Sequence, residues 1–192
     1  MNVGEFFSSE LGEHAEVLAR CRQTLESDFR AVLQIWLKAV RGGGKILFFG
    51  NGGSAADAQH LAAELVVRYK KDRAPIPAIA LTTDSSVLTA GGNDLGFESL
   101  FSRQIEALGR AGDAAVGIST SGRSANVLQG LRTARRQGLI PVALGGGDGG
   151  SLRELADAAL IVPSQTTARI QEMHITLGQM LCGALEIELG LT

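Results

Sequence analysis

The fold is decided at residues 45–54, which read KILFFGNGGS. Residues 45–49 form a short apolar run, as a strand buried on both faces of a parallel sheet requires. A glycine-rich turn follows at once, and residues 54–69 then have the pattern of a helix. A strand, a tight turn and a helix in this order predict the first unit of a parallel α/β sheet.

The same alternation continues along the chain. Further strands are predicted at residues 76–81, 113–119, 139–144 and 159–162. Helices are predicted at residues 124–137, 151–156 and 166–189, and residues 84–109 read as helices broken near Gly91 and Gly92. About five strands with helices on both faces is the doubly wound parallel arrangement. No internal repeat, low-complexity tract or linker divides it.

The segment before the first strand has a helical pattern. Apolar residues recur at three- and four-residue steps over residues 3–40, which predicts one long helix ended by the glycines at 42–44. Its apolar stripe either covers one face of the sheet or builds a subunit interface, and the two roles are compatible. We therefore expect residues 1–43 to be an N-terminal helical segment for packing or oligomerisation and residues 44–192 to be the α/β domain.

Composition excludes several classes of protein. The 192 residues are 45% hydrophobic and 20% charged, which is typical of a globular chain and excludes a disordered or fibrous one. A formal net charge of -2 argues against nucleic-acid binding through bulk positive charge. Two cysteines are too few for a disulfide framework. Neither a secretory signal nor an apolar run of about 20 residues is present, so we expect a cytoplasmic protein without membrane attachment.

Two glycine-rich loops at strand ends are candidate binding sites. Residues 50–54, GNGGS, match neither a Walker A loop nor the dinucleotide fingerprint, and a plain tight turn remains an alternative. Residues 117–124, GISTSGRS, also follow a strand and open a helix. Hydroxyls crowd this second turn and, with backbone N–H groups, form a cup suited to a phosphate; they belong to Ser119, Thr120, Ser121 and Ser124. Ser124 alone could instead be the N-cap of the helix.

Polar side chains inside two predicted helices are the other candidates. His60 and Glu64 lie four residues apart and share one helix face, although such a pair is also common on an ordinary surface. On the last helix, Gln171 and Gln179 are separated by about 80° of rotation and can line one cleft. His174 between them is more typical of a structural histidine than of a catalytic one.

These residues make the sequence resemble the sugar isomerase (SIS) domain family, in its phosphoheptose isomerase branch. The motifs that carry the resemblance are GNGGSAADAQHLAAEL (50–65), IALTTDSSVLTAGGNDLGFESLFSRQIEALG (79–109), GISTSGRSANV (117–127) and TARIQEMH (167–174). Together they span about the last three quarters of the chain, and the N-terminal helical segment resembles the family in position and length. Residues 44–192 would then be the SIS domain.

The resemblance implies a fold, an activity and a site. We expect a homotetramer with active sites between subunits, which isomerises sedoheptulose 7-phosphate to D-glycero-D-manno-heptose 7-phosphate for lipopolysaccharide or other surface glycans. The hydroxyl-rich loop would hold the phosphate. The implied substrate-binding residues are Asn51, Gly52, Gly53, Ser54, Thr83, Asn93, Asp94, Ser119, Thr120, Ser121, Ser124 and Gln171. One zinc ion per subunit would be held by His60, Glu64, Gln171 and Gln179.

Glu64 and Gln179 are the residues that the resemblance places at the proton-transfer step. Glu64 is the expected base, a role that competes with binding the metal, because a metal-bound carboxylate is a weaker base. Gln179 stands where the family has a histidine, and an amide neither exchanges a proton near pH 7 nor binds zinc as well as an imidazole. Three explanations stay open. A water or another residue makes the proton transfer that the histidine would make, or this chain catalyses the reaction more slowly, or Gln179 is a substitution.

Two other functions stay open from the sequence. The family also contains non-catalytic proteins, among them phosphosugar sensors and a tetrameric protein that associates with the replication initiator. Gln179 favours such a binding protein, whereas Glu64 and the complete GNGGSAADAQH loop favour an enzyme. An isomerase acting on another ketose phosphate, such as a hexose or pentose, is the second alternative.

Overall fold

The computed structural model describes residues 2–191, so Met1 and Thr192, the outer residues of the two predicted segments, lie outside the described part. The helices are α1 Val3–Thr24, α2 Glu26–Arg41, α3 Gly53–Val66, α4 Ser85–Asp94, α5 Leu100–Leu108, α6 Ala125–Arg136, α7 Leu152–Leu155 and α8 Thr167–Glu188. A 3-10 turn, Phe97–Ser99, precedes α5. The predicted helices therefore form, with most ends shifted by one to three residues.

The strands form one parallel sheet in the order β2-β1-β3-β4-β5. They are β1 Ile46–Gly50, β2 Ala78–Ala80, β3 Ala114–Ser119, β4 Ile140–Gly146 and β5 Ala158–Val162. The doubly wound five-stranded prediction is confirmed.

The sheet is covered on both faces because its central strands alternate apolar side chains between two cores. Every residue of β1 and β3 is buried. Phe48 packs edge-on against Trp36 of α2, with ring centroids 5.3 Å apart, on the face that α3 and α8 also cover. Phe49 points the other way and packs against Phe101 of α5, at 5.4 Å, beside α6.

The strand order places a crevice between β1 and β3. The chain runs from β1 outward to β2 and then returns to the opposite side of β1 with β3. Loops that leave two neighbouring strands in opposite directions open a crevice at the carboxyl ends, which is where ligands bind in such sheets. Both glycine-rich loops predicted from the sequence leave the sheet at this point.

The single helix predicted over residues 3–40 is wrong. Two helices meet at Leu25, whose φ of -103° and ψ of 2° end α1 and whose side chain is buried. Leu25 continues the apolar spacing of both helices, so periodicity does not reveal the break. α2 lies on the sheet and on α8, whereas α1 buries only Val17 and Cys21 among its residues. The glycine run does end α2, as predicted.

The break predicted near Gly91 and Gly92 is also misplaced. α4 continues through both glycines, and the chain turns at Gly96, whose φ of 84° is strained for residues other than glycine. Gly91 serves packing, because a Cβ there would lie 2.9 Å from Cδ2 of Leu100. In the single chain no residue of α4 is buried.

α2 and the α/β domain share one core, since Val32 and Leu37 belong to the buried cluster that contains Ile46 and Leu181. The division of the chain at residue 43 stays a prediction. Within residues 2–191, no helix is both long enough and apolar enough to cross a membrane.

Candidate functional site

The loop after β1 is shaped by close backbone contacts. A Cβ at Gly50 would lie 2.7 Å from the carbonyl oxygen of Ile118 and 2.8 Å from Cβ of Ser54, so only glycine fits there. Gly52, with φ 55°, occupies the N-cap position of α3, and no side chain caps this helix. The strand end and the helix start are thereby drawn together at the edge of the crevice.

The loop after β3 brings the predicted hydroxyls together. Ser119 Oγ and Ser124 Oγ are 3.0 Å apart, and Ser119 is buried whereas Ser121 is exposed. Ser124 occupies the N-cap position of α6, but its side chain makes no capping hydrogen bond. Its hydroxyl lies against that of Ser119 instead, so Ser124 is the N-cap residue by position but does not cap the helix through its side chain. We call Ser119, Thr120, Ser121 and Ser124 the hydroxyl cup.

An amide pair joins the two loops. The Asn51 side chain donates to Asn126 Oδ1 at 2.8 Å, and the Asn126 side chain donates back to Asn51 Oδ1 at 2.9 Å. Asn126 is buried in the first turn of α6, two residues after Ser124. Asn126 was not predicted; the available signal was a polar residue two positions after the hydroxyl cup, next to the buried apolar residues Val127 and Leu128.

The polar residues of α3 and α8 meet in one group. His60 Nε2 lies 2.9 Å from Glu64 Oε1 and 3.0 Å from Gln179 Nε2. If Glu64 is ionised, the ring N–H donates to its carboxylate, and the Gln179 amide is then turned so that its oxygen faces the ring. The side chain of Glu64 is 18% exposed and that of His60 is 47% exposed. We call His60, Glu64 and Gln179 the carboxylate cluster.

Gln171 reaches the loop after β1 from the first turns of α8. A Cβ at Gly53 would overlap the carboxamide of Gln171, so this side chain lies directly on the start of α3. Both glutamines of α8 therefore face α3, Gln171 at the glycine loop and Gln179 two turns further along at His60, and the cleft between them stays a prediction.

Asp57 is a second residue that the sequence analysis missed. It lies on α3 one turn before His60, and its Oδ2 is buried without a hydrogen-bond partner among residues 2–191. Burial raises the pKa of Asp57 to about 6, partly offset by the nearby charge of His60. Its spacing of three residues from His60 was the signal in the sequence.

Three predicted substrate-binding residues stand apart from this group. Thr83 lies just beyond β2, is exposed and donates to the carbonyl of Ala80 at 3.3 Å. Asn93 and Asp94 end α4, are exposed, and pair with each other through Asn93 Nδ2 and Asp94 Oδ1 at 2.7 Å. Within the described residues none of the three bonds to a predicted site residue outside this group, and their role stays a prediction.

The carboxylate cluster offers a divalent cation only a limited donor set. One imidazole and one carboxylate converge with an amide, and residues 2–191 contain no group of three or more His, Cys, Asp or Glu that could hold a metal. Catalytic zinc sites in proteins usually have three strong protein ligands. Here two strong ligands are supplemented by amides, so we expect weaker zinc binding than at a site with another imidazole.

Fold and site together define a parallel α/β protein with a hydroxyl-rich loop after β3, a glycine-rich loop after β1 and a carboxylate on the helix that follows β1. The family model for the SIS domain matches residues 11–146. The chain belongs to the SIS domain family.

Relatives with known names are similar over nearly the whole chain. The phosphoheptose isomerase of Paramagnetospirillum magneticum is 55% identical over 186 residues, which are 97% of each protein. That of Aquifex aeolicus is 53% identical and covers 91% of each. The solved phosphoheptose isomerase of Neisseria gonorrhoeae superposes with a TM-score of 0.92 at 42% identity, covering 96% of this chain and 99% of that one.

Proposed function

We propose that the chain interconverts sedoheptulose 7-phosphate and D-glycero-D-manno-heptose 7-phosphate. It is a heptose-phosphate isomerase, as its relatives are at about half identity over most of the chain. The observation that carries the mechanism is the placement of Glu64. Its carboxylate lies in a polar cluster on α3, the helix that begins at the glycine loop beside the hydroxyl cup.

The hydroxyl cup binds the phosphate of the substrate. Ser119 and Ser124 present adjacent hydroxyls at the uncapped start of α6, where the helix dipole favours an anion. The phosphate lies far from the carbons that react, so its binding energy contributes to orientation of the other end. Asn51 and Asn126 hold the cup at a fixed position relative to the glycine loop.

The carboxylate cluster carries the proton transfer. Glu64 removes a proton from C1 of the ketose while O2 takes up a proton, which gives the enediol; Glu64 then returns its proton to C2 while O1 releases one, which gives the aldose. The proton on the first oxygen moves to the second in the same interconversion, so atoms balance. His60 holds Glu64 in place through the 2.9 Å contact between its Nε2 and Glu64 Oε1.

Zinc, one ion per subunit, is part of this proposal. His60 and Glu64 would hold it together with the amide oxygens of Gln171 and Gln179, and a bound ion would polarise the sugar oxygens. A homotetramer with sites between subunits, a cytoplasmic location and a role in supplying heptose for lipopolysaccharide or another surface glycan complete the proposal. The amphipathic N-terminal helices and the exposed apolar side chains of α1, such as Phe6 and Phe7, support an interface there.

A turnover assay with sedoheptulose 7-phosphate, run with and without added zinc, tests the function. We expect aldose product to accumulate, and a hexose or pentose ketose phosphate to react more slowly. No turnover under either condition would favour a non-catalytic phosphosugar-binding protein. Metal analysis of the purified protein and light scattering measure zinc content and subunit number in the same sample.

The variant Gln179→His sharpens this test. If the missing imidazole limits metal binding, the variant should retain zinc through a chelator wash that strips the original protein, and its rate should rise. An unchanged zinc content and an unchanged rate would show that Gln179 does not limit the site.

A further inference from the structure

The first turns of α8 pack on glycines at the end of β4 and at the start of α3. Ile170 covers Gly146, the last residue of β4, where a Cβ would overlap its side chain. Gln171 covers Gly53 at the start of α3. The third contact is polar: His174 Nε2 lies 2.9 Å from the carbonyl oxygen of Gly145. We call these contacts the glycine seat of α8.

His174 is an unusual residue for this position. It is fully buried, and a carbonyl oxygen can only accept, so its Nε2 carries the proton and its Nδ1 is unprotonated. That Nδ1 has no hydrogen-bond partner among residues 2–191. A buried polar atom without a partner destabilises a fold, and an apolar residue of similar size would leave none on the side chain. The stability of the core therefore does not explain a histidine here.

The seat joins the two regions of the proposed active site. Gly145 is the register partner of Ser119, the buried member of the hydroxyl cup. The hydrogen bond from His174 thus fixes α8 to the strand end beside the cup. One turn earlier on the same helix, Gln171 lies over the glycine loop. Together they set the spacing between the phosphate site and the loop that faces the sugar.

We propose that His174 is a positioning residue, whose hydrogen bond to Gly145 keeps Gln171 in the place where it contacts the sugar. The proposal rests on the proposed isomerase function. His174 itself touches no substrate, because it is buried between α8 and β4. A displacement of about 1 Å at an orienting residue lowers turnover by up to about 100-fold, so the effect should be measurable.

A pair of amide variants isolates the hydrogen bond. Glutamine places its amide nitrogen near the position of His Nε2 and can donate to Gly145, whereas asparagine is too short to do so. We expect His174→Gln to keep kcat within about threefold and His174→Asn to lower kcat about 10- to 100-fold. In both, inhibition by inorganic phosphate should change less than about twofold, because the hydroxyl cup is intact.

The matched control is Leu185→Val, a change in another fully buried residue of α8. It should lower the melting temperature, and it should not lower kcat selectively while phosphate affinity stays unchanged. Equal kcat in the two His174 variants would overturn the proposal, and so would a joint loss of kcat and phosphate affinity. Absence of turnover in the unmodified protein would instead overturn the isomerase function and, with it, the proposal.

A second variant tests the seat without changing His174. Gly146→Ala places a Cβ against Ile170 and should push the start of α8 outward, with the same loss of kcat at unchanged phosphate affinity. Gly146→Ala combined with Ile170→Val makes room again and should recover part of the rate. If Gly146→Ala folds and keeps full kcat, the position of α8 does not control the reaction.

Discussion

The hydroxyl cup follows β3, the carboxylate cluster lies on the helix that follows β1 and on α8, and the two are built differently. The cup consists of hydroxyls on one turn, fixed by Gly122, where a Cβ would overlap the backbone of Gly149. The cluster consists of titratable side chains from two helices and lies one turn beyond the buried carboxyl of Asp57. The difference separates binding from chemistry, so substitutions in the two regions should affect different kinetic constants.

The largest effect is expected at Glu64. Glu64→Gln keeps the size of the side chain and one oxygen that can accept from His60, but removes its ability to take a proton. We expect kcat to fall about 10²- to 10⁴-fold with KM for sedoheptulose 7-phosphate changed less than about threefold. Steady-state kinetics measures both, and Glu154→Gln, at an exposed carboxylate of α7, is the control. Retained turnover would remove Glu64 from the mechanism.

The next effect concerns His174, where α8 joins the two regions. Burial lowers the pKa of His174 to about 4, below its usual 6.5. Between pH 6.5 and pH 4, His174 is therefore protonated in the unfolded chain but stays neutral in the folded chain. The free energy of unfolding falls as the pH falls through this range. A glutamine at position 174 does not titrate, so the pH dependence that His174 contributes is absent from His174→Gln. The free energy of unfolding of the original protein should therefore drop relative to that of the variant by roughly 3 kcal/mol from pH 7 to pH 4. Urea unfolding at several pH values measures the difference; parallel curves would contradict it.

A smaller, opposite kinetic effect is expected in the cup. Ser119→Ala or Ser124→Ala removes one hydrogen bond to the phosphate, a charged group, which is worth about 1.5–3 kcal/mol. KM should rise at least about tenfold while kcat changes less than about threefold. Ser9→Ala on α1, whose hydroxyl bonds only to the carbonyl of Phe6 within the described residues, controls for the substitution itself. A loss confined to kcat would show that the cup contributes to chemistry.

The smallest effect is one of stability on the cluster side. Burial raises the pKa of Asp57 to about 6 from its usual 3.8, so the folded protein holds a proton that the unfolded chain releases. The stabilisation is complete below pH 3.8 and is lost as the pH rises through 6. Asparagine at position 57 cannot ionise. The melting temperature of Asp57→Asn, measured relative to that of the original protein, should therefore be higher at pH 7 than at pH 4. Thermal melts of both proteins at pH 4 and pH 7 test this prediction. An equal difference in melting temperature at the two pH values would show that the pKa of Asp57 is not raised.

The sequence predicts the sheet because the strand and loop signals are local. A run such as residues 45–49 followed by glycines fixes both a buried strand and its sharp exit. The break at Leu25 escapes prediction because that residue suits the apolar spacing of either helix, and only packing against α8 and the sheet decides between one helix and two. Gly96 shows the same limit: three glycines lie between residues 91 and 96, and the sequence does not reveal which adopts a positive φ.

The site was predictable where motif and helix spacing place residues on one face, as for His60 and Glu64. Asn126 was missed because its partner Asn51 lies 75 residues away, on the loop after another strand. Asp57 was missed because its altered pKa comes from burial, which the sequence of one helix does not determine. Long-range pairing and desolvation are properties of the packed chain, whereas helix spacing is a property of the segment.

α4 differs from the other long helices in having no buried residue in the single chain. Besides its contact with the start of α5, where Gly91 lies against Leu100, its order depends on its backbone hydrogen bonds and on the side chain of Asp84, which accepts from the backbone N–H of Val87. A ten-residue helix of this kind is marginal in water without tertiary packing. In heavy water its amide protons should therefore be replaced by deuterium far sooner than those of α3, unless another subunit shields it.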